Sequence, residues 1–580
     1  MNYPTPAIVT QRAARPIPRW ALLLLCVAYV VPGFIGRDPW RYADVAALGY
    51  MQALAQGHSP WLAPQMLGLQ PEGSGLLPFW LGAWALQALQ GPLAMLGWGA
   101  ELVVRLPFIG LLCLSLWATW YSAYYLARNP GAQPVAFAFG GEADPRDYAR
   151  SIADAALLAL LACLGLAQMA HETTAALVQL ACASLVLLAA ALWPYHRWRA
   201  AALMPLGLLG LTLAGAPALA TLLGLGGTLL AWTRQRTAAT DSVPPAQATT
   251  GRRTSGAWLA ITLVGAALGW VLHLWAWRVE MPPASWVWVQ AQIKLLVWFG
   301  WPAWPLALWT LWRWRHQLTQ CQPHLWLPLG FVGISLGATL STSPADRALL
   351  LGLPALSVLA AFALPTLQRS LAALIDWFTL LFFSLSAIAI WVVWLSLQTG
   401  WPAQPAANVA RLAPGFTHSL APLPLLVALG ATLAWCALVR WRVVRHRTAL
   451  WKSLVLPAAG TTLAWLLLMT IWLPPLDYAR SYAPQVRHLR TLVGPRPGCL
   501  LVYGMSDSQV AALQFHGNFT LRAWRSPGAQ ECQWLAVASE RGNLPAQLRA
   551  DPHSADWSFY AAVGRPTNRS ERMVLLHRNP

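Results

Sequence analysis

Residues 20–44 read WALLLLCVAYVVPGFI followed by GRDPWRYAD, so an apolar stretch runs directly into a charged one. A helix needs about 17 to 25 apolar residues to cross a bilayer, and residues 20–36 therefore predict a membrane span. Arg12, Arg15 and Arg19 precede the stretch and no small-residue cleavage site follows it, which favours a retained first span over a cleaved signal peptide. Asp38 is placed where this helix leaves the bilayer, an uncommon position for a carboxylate and a candidate functional one.

The composition of the whole chain is that of a polytopic membrane protein. Of its 580 residues, 57% are hydrophobic and only 10% are charged, whereas soluble domains carry roughly 25% charged residues. The 36 Trp suit the two headgroup belts of a bilayer. The net charge of +19 comes from short basic runs between apolar segments, as in cytoplasmic loops, so we expect contacts with membrane lipids and no binding of nucleic acid.

The apolar segments predict an all-α polytopic membrane protein with about thirteen spans. With the N-terminus inside, the basic runs fall on the cytoplasmic side at nearly every loop, and an odd number of spans places the C-terminus in the periplasm of a bacterial inner membrane. Residues 203–233 could instead form one kinked or re-entrant unit. The predicted spans are 20–36, 104–127, 153–170, 173–193, 203–214, 216–233, 256–277, 291–312, 325–341, 347–365, 373–397, 420–440 and 453–473.

The apolar stretch 76–98 does not fit as a further span, because counting it would put the basic run 128–150 on the wrong side of the membrane. It contains Trp80, Trp84 and Trp98 and is interpreted as juxtamembrane helices at the outer interface. The first outer loop, about residues 37–103, is then long. Long loops with charged residues in a compact protein are usually functional.

The chain is predicted to divide into a transmembrane domain, 1–473, and a small soluble α/β domain, 474–580, in the periplasm. Alternating and short apolar runs predict strands at 499–504, 532–538, 557–563 and 573–577, with a helix at 506–515. Cys499 and Cys532 either bridge two neighbouring strands in an oxidising compartment or are two reduced buried thiols.

Ionisable residues from distant parts of the chain are predicted to meet at the outer boundary. Carboxylates beside guanidinium groups at one level of a bilayer suit a phosphate-bearing lipid headgroup, with a base to activate a nucleophile. The residues are Asp38, Arg41, Asp44, His58 and Glu72 in the first loop, Arg105, His171 and Glu172, Arg278 and Glu280, and Asp346 and Arg347.

Each of these residues has a structural alternative. Asp38 could cap a turn, since Asp-Pro starts turns well, and Asp44 could orient its helix through a salt bridge. Glu72 could be a solvated loop residue. Arg105 and Arg347 could extend to lipid headgroups, as Arg at the end of a span commonly does.

The order of several short motifs resembles the C-type membrane glycosyltransferases, and among them the 4-amino-4-deoxy-L-arabinose lipid A transferases and the protein O-mannosyltransferase-like enzymes. The resemblance spans about the first 370 residues. The matching segments are 37–44 as the first-loop acidic motif, 61–64, 78–80, 104–107, 171–172, 300–305 and 341–354.

The resemblance implies a reaction. Asp38 would be the catalytic base, the donor would be a sugar on a polyprenyl phosphate, and the acceptor would be lipid A, another glycan or a protein at the periplasmic face. A single displacement would invert the anomeric centre. Arg278 or Arg347 would stabilise the leaving phosphate, and Arg41, Asp44, Glu72, Arg105, His171 and Glu172 are the remaining candidates for substrate binding.

The sequence departs from the family pattern in two places. A Lys-Pro pair is replaced by 73–75, Gly-Ser-Gly, and a Lys-Gly pair by 214–217, Ala-Gly-Ala-Pro. Another Arg could take over, the donor could be held differently, or activity could be lost and the protein serve as a scaffold.

Two further questions stay open at the level of sequence. No Cys or His spacing of a structural zinc site is present, but Asp38, Glu72, His171 and Glu172 could share a divalent metal ion. A transporter or flippase for a lipid-linked saccharide is the alternative function. Transporters often carry inverted repeats with broken helices, and none is evident in the sequence.

Overall fold

The computed structural model describes residues 5–71, 73, 75–240, 245–275, 285–342, 345–444, 449–494, 498–540, 545–549 and 555–579. Within them the helices, in chain order, are α1 (Arg19–Val30), α2 (Ala43–Ala55), α3 (Leu77–Ala94), α4 (Ala100–Ala127), α5 (Pro145–Ala162), α6 (Leu164–Met169), α7 (Ala175–Leu192), α8 (Arg197–Leu213), α9 (Pro217–Thr240), α10 (Pro245–Val271), α11 (Trp286–Phe299), α12 (Ala303–Arg313), α13 (Arg315–Leu318), α14 (Pro323–Ser341), α15 (Ala345–Leu350), α16 (Leu353–Ala361), α17 (Arg369–Thr399), α18 (Ala403–Leu412), α19 (Pro422–Val444), α20 (Lys452–Leu468), α21 (Leu473–Arg480), α22 (Ala483–Val493), α23 (Asp507–Gly517) and α24 (Ala546–Arg549). The strands are β1 (Cys499–Tyr503), β2 (Thr520–Ala523), β3 (Trp534–Glu540), β4 (Trp557–Arg565) and β5 (Asn568–Arg578).

Five helices in the described part of the chain are long and apolar enough to cross a membrane, namely α4, α7, α14, α17 and α19. The prediction of a helical membrane protein agrees with this finding, whereas the count of thirteen spans is not confirmed. A sixth span is obtained if α20 and α21, which meet at 68°, are counted together. We take α20 as the membrane-embedded part, because α21 carries Asp477 and Arg480 and leads into the C-terminal sheet.

The helices form a packed centre and a more exposed flank. α4, α5, α7 and α16 pack against one another in the largest apolar cluster, while α17, α19 and α20 form a second one. The apolar window of α7 is 83% buried inside the protein, but that of α19 is only 11% buried. The α17–α19 flank therefore leaves most of its apolar surface to the surrounding lipid.

Several predicted spans are broken in the structure. Residues 153–170 form α5 and α6, which meet at Cys163, and residues 291–312 form α11 and α12, separated at Gly300 to Pro302. Proline disfavours helical geometry in the residue before it, which explains the break before Pro302. Residues 203–233 are two helices, and Gly215 takes a positive φ of 82° in the turn between them.

The first loop contains two helices, α2 and α3. α3 covers most of the apolar stretch 76–98, packs between α2 and α4, and is not among the five helices suited to span a membrane. α2 has a second neighbour, because it packs against α23 of the C-terminal region. Gly49 allows this close approach, since a Cβ there would lie 2.7 Å from Ala511 Cβ.

The C-terminal region contains one five-stranded sheet in the order β2-β1-β3-β5-β4. β1 runs parallel to β2 and β3, and β5 runs antiparallel to β3 and β4. Four strands and the helix predicted from sequence are present with shifted ends, while β2 was not predicted. Cys499 and Cys532 form a disulfide with a Cα–Cα distance of 5.0 Å, which decides between the two alternatives.

The C-terminal sheet and the first loop lie at one end of the helical bundle, which we call the sheet end. Their apolar residues form one cluster, in which Val45, Tyr50 and Met66 of the first loop pack with Val486 and Val510. The first loop therefore packs against the helical bundle on one side and against the C-terminal sheet region on the other.

Candidate active site at the sheet end

The turn between α1 and α2 carries the acidic motif and is held against the bundle. Gly33 has a positive φ of 97°, and a Cβ there would lie 2.5 Å from Trp465 Cζ2 of α20, so only glycine fits without movement. Trp465 Nε1 donates to the Pro32 carbonyl at 2.9 Å. The position of residues 37–42 is therefore set by close packing as well as by hydrogen bonds.

Asp44 is the centre of a buried network, and its carboxylate is 2% exposed. Arg37 Nη2 lies 3.1 Å from Asp44 Oδ2, and Thr173 donates to Oδ1 through its backbone N–H and its hydroxyl, at 3.0 and 2.8 Å. The Trp40 backbone N–H adds a fourth bond at 3.2 Å, and Arg105 Nη2 lies 3.9 Å away. Every lone pair of this carboxylate faces a protein donor.

The charge of Asp44 is strongly favoured by this network. Burial alone would raise the pKa of Asp44, but the guanidinium groups of Arg37 and Arg105 and the two hydrogen bonds from Thr173 outweigh it and lower the pKa below its ordinary value. Arg105 Nη1 also donates to the carbonyls of Phe34 and Arg37, at 3.0 and 2.6 Å. Asp44 and Arg105 thus connect the first loop, α2, α4 and the 171–174 turn.

Asp38 is placed differently, since it is partly exposed and lines a cleft of about 720 Å³. The cleft lies between the first loop, the 415–417 loop, α21, α22 and β4. Its charged and titratable lining residues are Asp38, Asp477, Tyr478, Arg487 and His488. A polar substrate group in the cleft would meet the carboxylates of Asp38 and Asp477 and the guanidinium group of Arg487.

A second carboxylate, Asp477, holds the turn that carries Asp38. Asp477 Oδ2 accepts from the Asp38 backbone N–H at 3.3 Å, and Oδ1 accepts from Trp40 Nε1 at 2.7 Å. Burial is the main cause that raises the pKa of Asp477 to about 7; the bond from Trp40 lowers it, and the neighbouring Asp38 carboxylate raises it. This carboxylate therefore titrates near neutral pH.

Two guanidinium groups enclose the ring of Trp40. The Cζ atoms of Arg37 and Arg480 lie 4.5 and 4.7 Å from its ring centroid, within the usual range of a cation–π contact. Nε and Nη1 of Arg37 find no hydrogen-bond acceptor among the described residues, so the contact with Trp40 is their main compensation. Glu172 interacts electrostatically with Arg480.

Arg41 connects the first loop to the C-terminal sheet. Its Nη1 lies 3.7 Å from Glu571 Oε1 of β5, and Tyr42 Oη donates to the same oxygen at 3.3 Å. Arg565 binds the other oxygen of Glu571 at 3.0 Å and donates to the Ala479 carbonyl at 2.9 Å. Arg41 thus has a structural partner, and Glu571 joins the sheet to the first loop.

Two of the remaining predicted residues, His171 and Arg347, are described by the structure, and neither lines the cleft. His171 is fully buried with its ring nitrogens beside the carbonyls of Ala167 and Tyr29, and burial lowers its pKa to about 4. Arg347 is exposed on α15, which packs against α6 and α7. Glu72, Arg278 and Glu280 lie outside the described residues, and so does the side chain of Asp346.

The proposed sharing of a metal ion is not supported by the described residues. Among them no group of three or more His, Cys, Asp and Glu side chains is arranged to hold a metal ion. His171 is enclosed by apolar and carbonyl neighbours, and Glu72 is not described.

Sequence reasoning missed Asp477, Arg480, Arg487 and His516. The signal for Asp477 was available, because it follows the last predicted span at 453–473 just as Asp38 follows the first. His516 lies in α23 and interacts electrostatically with the Asp38 carboxylate. Its Nε2 is 3.3 Å from Ser481 Oγ. No local pattern in the sequence indicates that α23 reaches the first loop.

These elements define a helical membrane protein whose acidic first loop packs against a C-terminal region of one sheet and its helices. A solved structure with this fold is the crystal structure of ArnT from Cupriavidus metallidurans bound to undecaprenyl phosphate, with a TM-score of 0.58, 16% identity, and coverage of 96% of this chain and 98% of that chain. The crystal structure of the same protein in the apo state gives the same TM-score and identity, with coverage of 96% and 97%. The resemblance predicted from the motifs is confirmed for the fold, and it extends beyond the first 370 residues to nearly the whole chain.

Comparisons of sequence alone find no relative. No family model matches the chain, and no curated protein matches it.

Proposed function

We propose that this protein is an integral membrane glycosyltransferase that moves a sugar from a polyprenyl-phosphate carrier to an acceptor, with Asp38 as the general base. The observation that carries the proposal is the position of Asp38 in a polar cleft at the end of a membrane-embedded bundle. The shared fold supports it, since ArnT has been crystallised with undecaprenyl phosphate. The acceptor is lipid A, another glycan or a protein.

The proposed reaction is a single displacement at the anomeric carbon. The acceptor hydroxyl gives its proton to the Asp38 carboxylate while its oxygen forms a bond to the anomeric carbon. The bond from that carbon to the phosphate oxygen breaks, and the electron pair leaves with the polyprenyl phosphate. Attack from the face opposite the leaving group inverts the anomeric centre.

The leaving phosphate needs a cation, and Arg487 is a fixed cation among the described residues of the cleft. Arg487 and His488 lie on α22 in the wall shared with Asp38. Of the candidates chosen from sequence, Arg347 is exposed on α15 and Arg278 lies outside the described residues. A fixed cation at the developing charge is worth more in a partly water-excluded cleft than in bulk water.

The orientation proposed from the sequence has thirteen spans, a cytoplasmic N-terminus and residues 474–580 in the periplasm of a bacterial inner membrane. The disulfide between Cys499 and Cys532 supports this orientation, because such bonds persist in oxidising compartments and are rare in the cytosol.

The proposal is tested with purified protein in lipid nanodiscs, a labelled polyprenyl-phosphate sugar and an envelope lipid extract as acceptor. We expect Asp38→Asn to lower transfer at least ~100-fold, because general-base catalysis contributes about 10² to 10⁴. The matched control is Asp556→Asn, an exposed carboxylate just before β4, at the end of that strand opposite the cleft. Undiminished transfer by Asp38→Asn would show that Asp38 is not the base, and movement of intact donor across the membrane without transfer would favour a flippase.

A further inference from the structure

Asp477 makes two contacts with one short turn and contributes to the same cleft. Its two carboxylate oxygens accept separately, one from the backbone N–H of Asp38 and one from the indole N–H of Trp40. The two donors are two residues apart, so Asp477 binds both ends of the short turn 38–40 that carries the Asp38 side chain. The contact joins positions 439 residues apart in the sequence.

The geometry around Asp477 leaves its carboxylate dependent on these two donors. Trp40 is 5% exposed and its ring is fixed between Arg37 and Arg480, so the indole N–H has a defined direction. The end of the turn beyond Trp40 is held separately, by the bond from the Arg41 N–H to the Arg480 carbonyl at 2.8 Å. Trp40 and Arg41 thus have anchors besides Asp477, whereas the Asp38 backbone N–H donates to Asp477 itself.

Charged and titratable groups face Asp477 from several elements. They are Arg37 and Asp38 from the first loop, Arg105 from α4, and, in the shared cleft, Tyr478 from α21 itself and Arg487 and His488 from α22. His516 of α23 interacts with Asp38 and Arg487, and Arg480 of α21 contacts the Trp40 ring. Asp38 disfavours the ionised form of Asp477, while Arg37 favours it. The carboxylate is the group among them that contacts the Asp38 backbone directly.

We propose that Asp477 is a positioning residue for the proposed transfer, and that its ionised form holds Asp38 toward the cleft. The inference rests on the proposed function of Asp38 as the base. When a proton from water binds one Asp477 oxygen, that oxygen becomes a weaker acceptor, and the turn loses part of one of its two anchors. Asp38 then samples positions from which its oxygen no longer reaches the acceptor hydroxyl.

The direction of the pH effect follows from the chemistry. Burial raises the pKa of Asp477 to about 7, so the ionised, holding form is populated above that pH and lost below it. We therefore expect kcat of the wild-type protein to rise with increasing pH, with a midpoint near pH 7. We call this rise in the pH profile of kcat the limb near pH 7. Trp40→Phe keeps a ring but removes the indole donor to the charged form, so this variant is expected to move the limb to higher pH.

The inference is tested by the pH dependence of kcat and KM for wild type, Asp477→Asn and Trp40→Phe. Asp477→Asn is expected to lower kcat about 10- to 100-fold, since a misplacement of about 1 Å can cost 10²-fold in rate, with KM within about twofold. The limb near pH 7 is expected to be absent from this variant. Glu531→Gln, an exposed carboxylate paired with Arg522 in the sheet region, is the matched control and keeps the wild-type profile.

The outcomes separate this inference from the proposed function. If Asp38→Asn abolishes transfer but both variants keep the wild-type limb at the same pH, the role of Asp477 is wrong and the base assignment stands. A rise in KM alone would likewise overturn it, because it would place Asp477 in binding. If Asp477→Asn cannot be purified, Trp40→Phe decides the question: an upward shift of the limb supports the inference and an unshifted limb contradicts it.

Discussion

Asp44→Asn is expected to destabilise the protein strongly, because it removes a buried charge that compensates two buried guanidinium groups. Arg37 is 1% exposed and Arg105 is 2% exposed, and Asp44 is the carboxylate that contacts both. Removing one partner of a buried pair costs about 3 to 5 kcal/mol. The Asn side chain replaces one oxygen with an NH₂ group, which would point a donor at either Arg37 or Thr173.

The expected loss can be checked against the separate contacts. Hydrogen bonds to a charged group contribute about 1.5 to 3 kcal/mol each, and Asp44 accepts four. Asn retains an oxygen for about half of them, so we expect a loss near the middle of the range, about 4 kcal/mol. This is a large fraction of a typical folding free energy of 5 to 15 kcal/mol.

The assay is thermal unfolding in detergent, followed by intrinsic Trp fluorescence at a fixed scan rate, because membrane proteins often unfold irreversibly. We expect the Tm of Asp44→Asn to fall by several degrees. Asp147→Asn, a partly exposed carboxylate near the start of α5, is the control and should change Tm by little. If the Asp44→Asn protein has the wild-type Tm but binds the donor poorly, the structural role is refuted and Asp44 is assigned to substrate binding.

Two further predictions concern how the C-terminal sheet is attached. Replacing Cys499 and Cys532 by Ser removes a disulfide with a sequence separation of 33, which stabilises the fold by about 4 kcal/mol in the chain-entropy model. We therefore expect faster proteolysis of the sheet region in the double variant. In cells, both cysteines of the wild-type protein should resist thiol alkylation until a reductant is added. Ready alkylation without reductant would contradict an oxidising location. Gly49→Ala would bring a Cβ within 2.9 Å of Met66 Sδ and 2.7 Å of Ala511 Cβ. The overpacking should cost about 1 to 3 kcal/mol, loosen α23 from α2 and make the sheet region more sensitive to protease. Gly330→Ala is the control, because a Cβ there meets nothing within 4 Å, and equal protease resistance of the two variants would contradict the packing of α2 against α23.

Much of the fold could be predicted because long apolar runs leave few alternatives in a bilayer. Residues 104–127 were predicted as a span and form most of α4. The helix break at Cys163 was not predicted, since hydrophobicity measures whether a segment is apolar and does not report its direction. Residues 300–305 resemble a turn of the related enzymes, but 291–312 was still predicted as one span. β2 was missed because four residues, Thr520–Ala523, are too short for alternation to be visible.

The site could be predicted only in part, for a related reason. Asp38 was identified from its position next to a span, which is a local feature. The bonds from Asp477 to Asp38 and from Glu571 to Arg41 join residues more than 400 positions apart, and no periodicity reports such contacts. Asp477 belongs to the segment predicted as a separate soluble domain, 474–580, but in the structure it lines the same cleft as Asp38.

The most direct test of the account uses mass spectrometry of envelope glycolipids and glycoproteins from a deletion strain complemented with wild type, Asp38→Asn or Asp556→Asn. The account predicts that one sugar modification disappears on deletion and returns with wild type and Asp556→Asn, while Asp38→Asn leaves it absent despite equal amounts of protein in the membrane. Full restoration of the sugar by Asp38→Asn would contradict the account.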